Sequence, residues 1–421
     1  MTKQTALFSP VLLAGCIILL VGFSVRASFG LFQIPIANDL GWLRADFSLA
    51  IAIQNLAWGV GQPIFAAIGE KFGDRRAIFA GAVFYAVGLV VSSYAITPGQ
   101  HQLLEILIGF GVAGTGFGVI LAVVGRATPE KHRSLALGIT TAAGSAGQVV
   151  GPPLTQALLN QWPWQTVFVI LAVLVLLSLL VLPLIKAPVP DAVTKSQLDE
   201  GISKVVRRAL GDRSFLFIFI GFFSCGYQLA FVTAHFPAFI TEACSAIAPD
   251  SLLQSLGIRS TSSLGAWAIA LVGITNIGGT ILAGWLGNYY SRKYLLAVVY
   301  TLRTLVAAVF ILTPITPESV VTFSLVMGTL WLATVPLTSG LVAQIYGLRY
   351  MGTLYGLVFF SHQLGSFMGV WLGGVMYDLY GNYTLVWWVG VGVGALSAII
   401  HLPIDERPWQ QRQLVVTTST A

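Results

Sequence analysis

Twelve apolar runs, each long enough to cross a lipid bilayer, follow one another along this 421-residue chain. A transmembrane helix needs about 20 mostly apolar residues, and only helices satisfy the backbone inside such continuous apolar segments. Alternating barrel strands would not produce uninterrupted runs. The sequence therefore predicts an all-α membrane protein with twelve transmembrane helices. The predicted spans lie near residues 9–36, 46–69, 76–97, 102–125, 134–159, 164–186, 214–239, 264–287, 294–314, 319–345, 352–378 and 383–404.

The scarcity of charge agrees with a lipid environment. Only 9% of residues are charged and 56% are hydrophobic, whereas soluble domains carry about 25% charged residues. This composition excludes a soluble enzyme, a nucleic-acid binder and a disordered scaffold. The first apolar run has no small-residue cleavage pattern, so it is interpreted as the first membrane helix and not as a secretory signal.

The basic residues fix the orientation. With the N-terminus inside, 18 of the 22 Lys and Arg fall at the chain ends and in the cytoplasmic loops, two fall in the opposite loops, and two fall inside spans. Such a bias predicts that both termini are cytoplasmic, and it makes the net charge of +6 mainly a signal of topology. A charged stretch divides the spans six and six. The predicted units are an N-terminal bundle at 1–187, a cytoplasmic linker at 188–212, a C-terminal bundle at 213–406 and a tail at 407–421.

An internal repeat relates the two bundles. The fifth span contains Gly138, Gly147 and Gly151, and adding 218 gives Gly356, Gly365 and Gly369 in the eleventh. The stretch 66–75 maps onto 284–293 by the same offset. Parallel repeats of this kind place a ligand between the halves near the middle of the membrane. The glycines predict closely packed helices, which two rocking halves need at their interface. The pairs assigned to this gating role are Gly147 with Gly151 and Gly365 with Gly369.

The loop after the second span, Ala66-Ala-Ile-Gly-Glu70-Lys71-Phe-Gly73-Asp74-Arg75, resembles the G-x-L-x-D-R-x-G-R-R signature of the major facilitator superfamily of secondary transporters. With the 6+6 division, the resemblance covers nearly the whole chain. It implies the major facilitator fold and a cytoplasmic latch at the helix ends. The gating residues implied here are Glu70, Lys71, Asp74 and Arg75. Their alternative interpretation is a solvated basic loop that only sets topology.

Within that superfamily, the chain resembles the monocarboxylate-transporter and oxalate/formate-antiporter group. The similarity lies in three stretches, at 22–32, 144–156 and 365–383. That group usually carries an Arg, often with an Asp one turn earlier, in the eighth span, where this chain has the neutral Asn276 and Thr280. Either Arg26 or Arg303 then holds the anion, or the substrate is not a simple monocarboxylate. The G-x8-G-x3-G-P spacing of the fifth span also resembles an antiporter motif of drug exporters.

Two arginines lie inside spans, where a cation normally faces a cavity or a partner. Arg26 is near the middle of the first span, beside small polar residues, and is a candidate for binding an anion or a coupling ion; the alternative is pairing with a carbonyl or an acid. Arg303 lies in the ninth span, which is peripheral in this fold. It is a weaker binding candidate, with an intradomain structural pair as the alternative.

No acidic residue is predicted at the centre of a span. Glu105 is placed near the outer end of the fourth span, Asp46 opens the second and Asp378 ends the eleventh. Two cations without deep carboxylates leave the cavity potential positive, which favours an anionic substrate. Proton coupling then requires another titrating group, and the coupling candidates are His235, His362 and Arg26.

Neutral polar groups at membrane depth tend to face the interior of the bundle. With the two arginines they complete the predicted substrate-binding set: Arg26, Gln54, Asn55, Gln148, Tyr227, Asn276, Thr280, Arg303, His362 and Gln363. Each of the uncharged members either touches substrate or bridges helices.

The leading hypothesis is a secondary transporter for a small organic anion, coupled to a proton or a counter-anion, in a cytoplasmic membrane. The alternatives are efflux of amphipathic compounds and uptake of a larger anionic metabolite or vitamin. A membrane enzyme is disfavoured, because the histidines are scattered and no nucleotide-binding or zinc-binding motif occurs. The expected partners are the substrate anion, its coupling ion and the lipid bilayer, with no nucleic acid, cofactor or metal and with a monomeric protein.

Overall fold

The computed structural model describes residues 9–128, 130–186, 202–346, 351–409 and 411–412. Side chains are described at these positions except at 67, 70, 71, 130–135, 137, 202–205 and 351–353. Within this part of the chain every regular element is a helix.

Twelve long helices correspond one to one with the twelve predicted spans, so the predicted fold class is confirmed. They are α1 (Pro10–Leu40), α2 (Arg44–Phe72), α3 (Asp74–Ser92), α4 (Pro98–Ala127), α5 (Glu130–Leu159), α6 (Trp164–Leu184), α7 (Arg213–Ala243), α8 (Thr261–Leu286), α9 (Arg292–Leu312), α10 (Pro317–Tyr346), α11 (Met351–Tyr380) and α12 (Thr384–His401).

Nine of these helices, among the described residues, qualify as membrane spans by length and composition together. The other three, α2, α5 and α11, have 29, 30 and 30 residues. At about 1.5 Å per residue they are more than long enough to cross the bilayer. They also take part in the two closest helix pairs between the halves, which are α2 with α11 and α5 with α8.

Helix ends follow local sequence chemistry. Pro98 and Pro317 occupy the first turns of α4 and α10, and the Thr97 and Thr316 side chains accept the amides of Gln100 and Ser319. Both helices are interrupted along their length, α4 at Gly116 and α10 at residues 331–333. These interruptions free backbone groups inside the protein, which side chains must satisfy.

The repeated glycines show that the halves are built alike. A Cβ at Gly147 or Gly151 would lie 2.2 Å from the carbonyl oxygen of Leu20 or Ser24 in α1. A Cβ at Gly365 or Gly369 would lie 2.0 or 2.3 Å from the carbonyl oxygen of Phe223 or Tyr227 in α7. Only glycine permits so close an approach. Helix α5 therefore packs on α1 as α11 packs on α7, with residues of α1 and α7 related by an offset of 203.

The predicted linker at 188–212 lies partly outside the described residues. Its described portion contains a short helix, Ile202–Leu210, that leads into α7. Residues 407–409 and 411–412 are the described part of the predicted tail.

Candidate functional site

A cavity of 190 Å³ lies between the two halves and is lined by residues from both. Its walls include Gln62 and Tyr355, which lie on the cytoplasmic parts of α2 and α11. Most of the lining is apolar or aromatic. Of the ten predicted binding residues, four line this cavity: Arg26, Gln148, Thr280 and His362.

Arg26 is the one charged residue among the described residues that line the cavity. Its Nη2 donates to Asn55 Oδ1 at 3.1 Å, and its Cζ lies 4.6 Å from the centre of the Trp58 ring. No carboxylate of the described residues is within 4.0 Å of its guanidinium, although other arginines of the chain do form such pairs. The guanidinium is thus held by an amide and an aromatic face, and the described residues supply no counter-ion for its charge.

Three further polar atoms at the cavity wall have no hydrogen-bond partner among the described residues. They are Trp58 Nε1, Gln62 Oε1 and His362 Nδ1, all buried. The His362 ring lies between two aromatic side chains, 5.1 Å from Phe222 and 5.4 Å from Phe359. Buried polar atoms are normally paired, so these three atoms are exceptions at the cavity wall.

Gln54 and Asn55 lie beside the cavity, not on it. Together with Arg26 they line a separate cleft of 10 Å³, which is about the volume that one water molecule requires. Tyr227 and Gln228 line a third, mostly apolar cleft of 20 Å³ within the C-terminal half. Gln363 is fully buried against Gly59 of α2, so it lies at the contact between the halves.

Asn276 and Thr280 occupy the positions where the resembling group has charged residues. The Asn276 side chain bridges three helices, since it donates to Ser145 Oγ at 3.2 Å and accepts from Leu332 N and from Thr280 Oγ1, each at 3.0 Å. It therefore caps the interruption in α10. Asn276 itself is fully buried, while Thr280 reaches the cavity.

Arg303 does not line the cavity. Its side chain is fully buried and donates from Nε to Leu330 O at 3.1 Å and from Nη2 to Trp331 O. Those carbonyls end the first segment of α10, where a helix terminus carries a partial negative charge. Arg303 thus stabilises the interruption of α10 without lining the cavity, while the Trp331 side chain lines it.

The outer ends of the two halves are joined by a polar network, which we call the outer latch: Arg44 with Glu242, Asp378 and Tyr383. The Arg44 guanidinium bonds to Glu242 and to Tyr383 Oη, the latter at 2.8 Å. The backbone amides of Arg44 and Ala45 donate to the two oxygens of Asp378, at 3.0 and 2.7 Å. The sequence does not predict this latch, because its members lie at the ends of helices that are far apart in the chain.

His235 belongs to the layer beneath the outer latch. Its Nε2 lies 2.7 Å from Val370 O, and its Nδ1 lies 3.1 Å from Gln33 Nε2. Gln33 in turn accepts from Tyr383 Oη at 3.2 Å. The carbonyl can only accept, so Nε2 carries the proton and Nδ1 accepts from the amide. Both ring nitrogens of His235 are then occupied away from the cavity.

The predicted cytoplasmic latch residues whose side chains are described bond within their own half. Asp74 pairs with Arg126 at 2.5 Å, and Arg75 donates to Ile185 O and Pro183 O at 2.6 and 2.7 Å. The side chains of Glu70 and Lys71 lie outside the described residues. Among the described residues, the outer latch therefore joins the two halves on the outer side. The contacts of Asp74 and Arg75, on the cytoplasmic side, stay within the N-terminal half.

One carboxylate is buried where the sequence predicted none. Glu105 of α4 is fully buried, accepts from Gln54 Nε2 at 2.7 Å, and lies 3.4 Å from His101 Nε2. Glu105 lies in the outer part of α4, as predicted, but its full burial contradicts the expectation that the chain has no deep carboxylate. The spacing of His101 and Glu105, one helical turn apart, was the available signal.

Comparison with known proteins agrees with this architecture. The family model of the Major Facilitator Superfamily matches residues 14–369 and 233–416. The chain is 28% identical over 397 residues to the uncharacterized MFS-type transporter YcxA of Bacillus subtilis, covering 90% of each chain. It is 26% identical over 419 residues to monocarboxylate transporter 13 of Bos taurus, covering 94% of this chain and 90% of that one.

Among solved structures, a D-xylose–proton symporter superposes with a TM-score of 0.70 at 15% sequence identity, covering 94% of this chain and 98% of that chain. At that identity the likeness concerns the fold alone.

Proposed function

Because this chain belongs to the major facilitator superfamily of membrane transporters, we propose that it is a secondary active transporter of a small, monocarboxylate-like organic anion. Transport proceeds by alternating access and is coupled to a proton or to a counter-anion. The protein acts as a monomer in the cytoplasmic membrane.

The observation that carries the proposal is the unpaired charge of Arg26. A cation in a low-dielectric cavity without a counter-ion is costly, and a substrate carboxylate would offset it. Arginine presents two N–H groups in the geometry of a carboxylate. Trp58 Nε1, without a partner among the described residues, supplies a further donor beside it. An amphipathic cation would find no carboxylate among the described lining residues.

Cavity size and lining support a small substrate with a short apolar body. The cavity volume of 190 Å³ is below the roughly 300–1,000 Å³ that is typical of ligand pockets. This suits a short organic acid better than a larger anionic metabolite or vitamin. The aromatic walls, among them Trp58, Phe117 and Trp331, suit the hydrocarbon part of such an acid. The similarity to a monocarboxylate transporter points to the same substrate class.

The closed outer latch and the cytoplasmic position of the cavity describe an inward-facing state of the alternating-access cycle. We assign the rocking units to residues 1–187 and 213–406, with 188–212 as the linker and 407–421 as the tail. Gly147, Gly151, Gly365 and Gly369 keep α1 against α5 and α7 against α11 while each unit moves as a body. Glu70, Lys71, Asp74 and Arg75 form the cytoplasmic latch of the opposite, outward-facing state.

The test is uptake by purified protein in liposomes under an imposed pH gradient, with radiolabelled L-lactate, pyruvate, oxalate and formate. We expect uptake of at least one acid by the wild type and its loss in Arg26→Gln. The same vesicles are tested with amphipathic cations. Transport of those cations in place of the acids, or unchanged acid uptake in Arg26→Gln, contradicts the proposal.

A further inference from the structure

A buried carboxyl group, that of Glu105, is connected to the Arg26 cleft by the side chain of Gln54. Glu105 is 0% exposed, and its single hydrogen bond among the described residues, at 2.7 Å, comes from Gln54 Nε2. Its second oxygen lies 3.4 Å from His101 Nε2, without the geometry of a hydrogen bond. An ionised carboxylate needs several donors when it is removed from water. The described residues provide one, so the site suits a carboxyl group that carries a proton.

The groups that face Glu105 come from every helix packed around α4. His101 lies on α4 itself, with its ring among Trp42, Phe47 and Phe168. Gln54 comes from α2, and the buried phenol of Tyr85, in α3, lies near both Glu105 and Arg26. Both nitrogens of the His101 ring lack hydrogen-bond partners among the described residues. The carboxyl and the imidazole are therefore neighbours that can share one proton.

A polar path connects this pair to the substrate site. The Gln54 side chain that binds Glu105 also lines the 10 Å³ cleft, which Arg26 and Asn55 line from the other side. Asn55 in turn accepts from Arg26. One water molecule in that cleft would connect the amide that binds Glu105 with the guanidinium.

We propose that Glu105, with His101, is the proton-binding site of this transporter, and that it exchanges its proton in step with the anion on Arg26. This inference rests on the proposed function and names its coupling ion. The anion on Arg26 and the proton on Glu105 are linked through Asn55, the 10 Å³ cleft and Gln54. When a substrate carboxylate occupies Arg26, Glu105 takes a proton from water to form a neutral O–H. Anion and proton load together, and both leave together on the cytoplasmic side, so the substrate and its proton cross without net charge.

The first experiment needs no substrate. Infrared difference spectra of the purified protein, titrated from about pH 5 to about pH 8, report the carbonyl stretch of protonated carboxylic acids. We expect a buried-acid band that is absent in Glu105→Gln and retained in Glu318→Gln, a control on an exposed carboxylate. If the band survives in Glu105→Gln, or if the wild type shows no such band across the titration, the inference is overturned.

The second experiment separates coupling from binding. Under a gradient of about one pH unit, a one-proton symporter accumulates its substrate about tenfold. With radiolabelled L-lactate, or with whichever acid of the panel is taken up, we expect Glu105→Gln to lose this accumulation while still exchanging labelled for unlabelled acid. Retained pH-driven accumulation in Glu105→Gln overturns the inference and leaves the proposed function standing.

The controls distinguish a failure of this inference from a failure of the proposed function. If the wild type takes up no acid of the panel, the proposed function fails, and the infrared titration alone decides whether Glu105 binds the proton. Thermal unfolding establishes that each variant is folded. Should Glu105→Gln not fold, Glu105→Asp replaces it: the proposal then requires the infrared band to move rather than vanish, and an unmoved band contradicts it.

Discussion

The two halves line the cavity with different side chains at equivalent positions of their helices. Gly147 and Gly151 seat α5 on α1 as Gly365 and Gly369 seat α11 on α7. The offset of 203 between α1 and α7 places Leu229 where the N-terminal half has Arg26, and both side chains line the cavity. The same backbone arrangement thus carries a cation in one half and a hydrocarbon in the other.

The asymmetry extends to the helices behind these walls. The Thr–Pro starts of α4 and α10 differ by 219 residues, which pairs Glu105 with Ser324 and His101 with Val320. Arg303 is the buried cation of the C-terminal half, and it binds backbone carbonyls instead of facing the cavity. The two halves thus share their helix packing, whereas the charged groups of the proposed mechanism lie in the N-terminal half and the C-terminal half completes the cavity wall.

The largest expected effect comes from exchanging charge at the equivalent pair. Replacing Arg26 with Gln removes the cation and should reduce acid uptake in liposomes roughly 100-fold, since a buried charge pair contributes about 2 to 5 kcal/mol. Leu229→Met, a volume-conserving change at the matched position, should change uptake less than about threefold. Equal losses in the two variants would show that the two halves contribute alike to uptake.

The next effect concerns the two buried arginines. Arg303→Met leaves the carbonyls of Leu330 and Trp331 unpaired, and we expect a loss of about 2 to 3 kcal/mol of stability, seen as a lower thermal-unfolding midpoint. Arg303→Lys should recover part of that loss. The substrate concentration that gives half-maximal uptake should stay unchanged in both variants. A large change in that concentration with an unchanged unfolding midpoint would place Arg303 in the binding site.

The packing symmetry can be tested with one methyl group at a time. Gly147→Ala and Gly365→Ala each put a Cβ against a carbonyl oxygen, at 2.2 and 2.0 Å, and overpacking costs about 1 to 3 kcal/mol. Both should lower the unfolding midpoint by similar amounts. Gly356→Ala is the control, because a Cβ there meets nothing within 4 Å. A loss confined to one variant would show that one of the two helix pairs is the more tightly packed.

The smallest effect is expected at the outer latch, where both halves take part. The Arg44 and Glu242 side chains are 11% and 33% exposed, and partly exposed pairs contribute up to about 1 kcal/mol. Arg44→Gln should shift the population toward the outward-open state by roughly fivefold, measured from distances between spin labels on the outer loops of the two halves. Arg259→Gln, an exposed outer residue, should leave the distances unchanged. Identical distance distributions for the two variants would remove Arg44 from the latch.

Which polar residues reach the cavity was harder to predict than the fold. The sequence predicts Arg26 as the stronger binding candidate and Arg303 as the weaker one, and of the two only Arg26 lines the cavity. It also predicts Asn276 and Gln363 as binding residues, yet Asn276 bridges helices and Gln363 is buried at the contact between the halves. The sequence does not reveal the place of Trp58 or the burial of Glu105, because their surroundings come from helices far away in the chain.

The sequence by itself determined the twelve spans, their orientation and the repeat. These depend on quantities that add along the chain: the apolar length of each segment and the charge of each loop. Only the tertiary structure decided which side of each helix meets a neighbour and which meets the cavity. A helix turned about its axis by about 100°, the angle between successive residues, has the same hydropathy but presents different side chains to the cavity. That rotation places Arg26 beside Trp58, binds Arg303 to the carbonyls of α10, and sets Glu105 against Gln54 and His101.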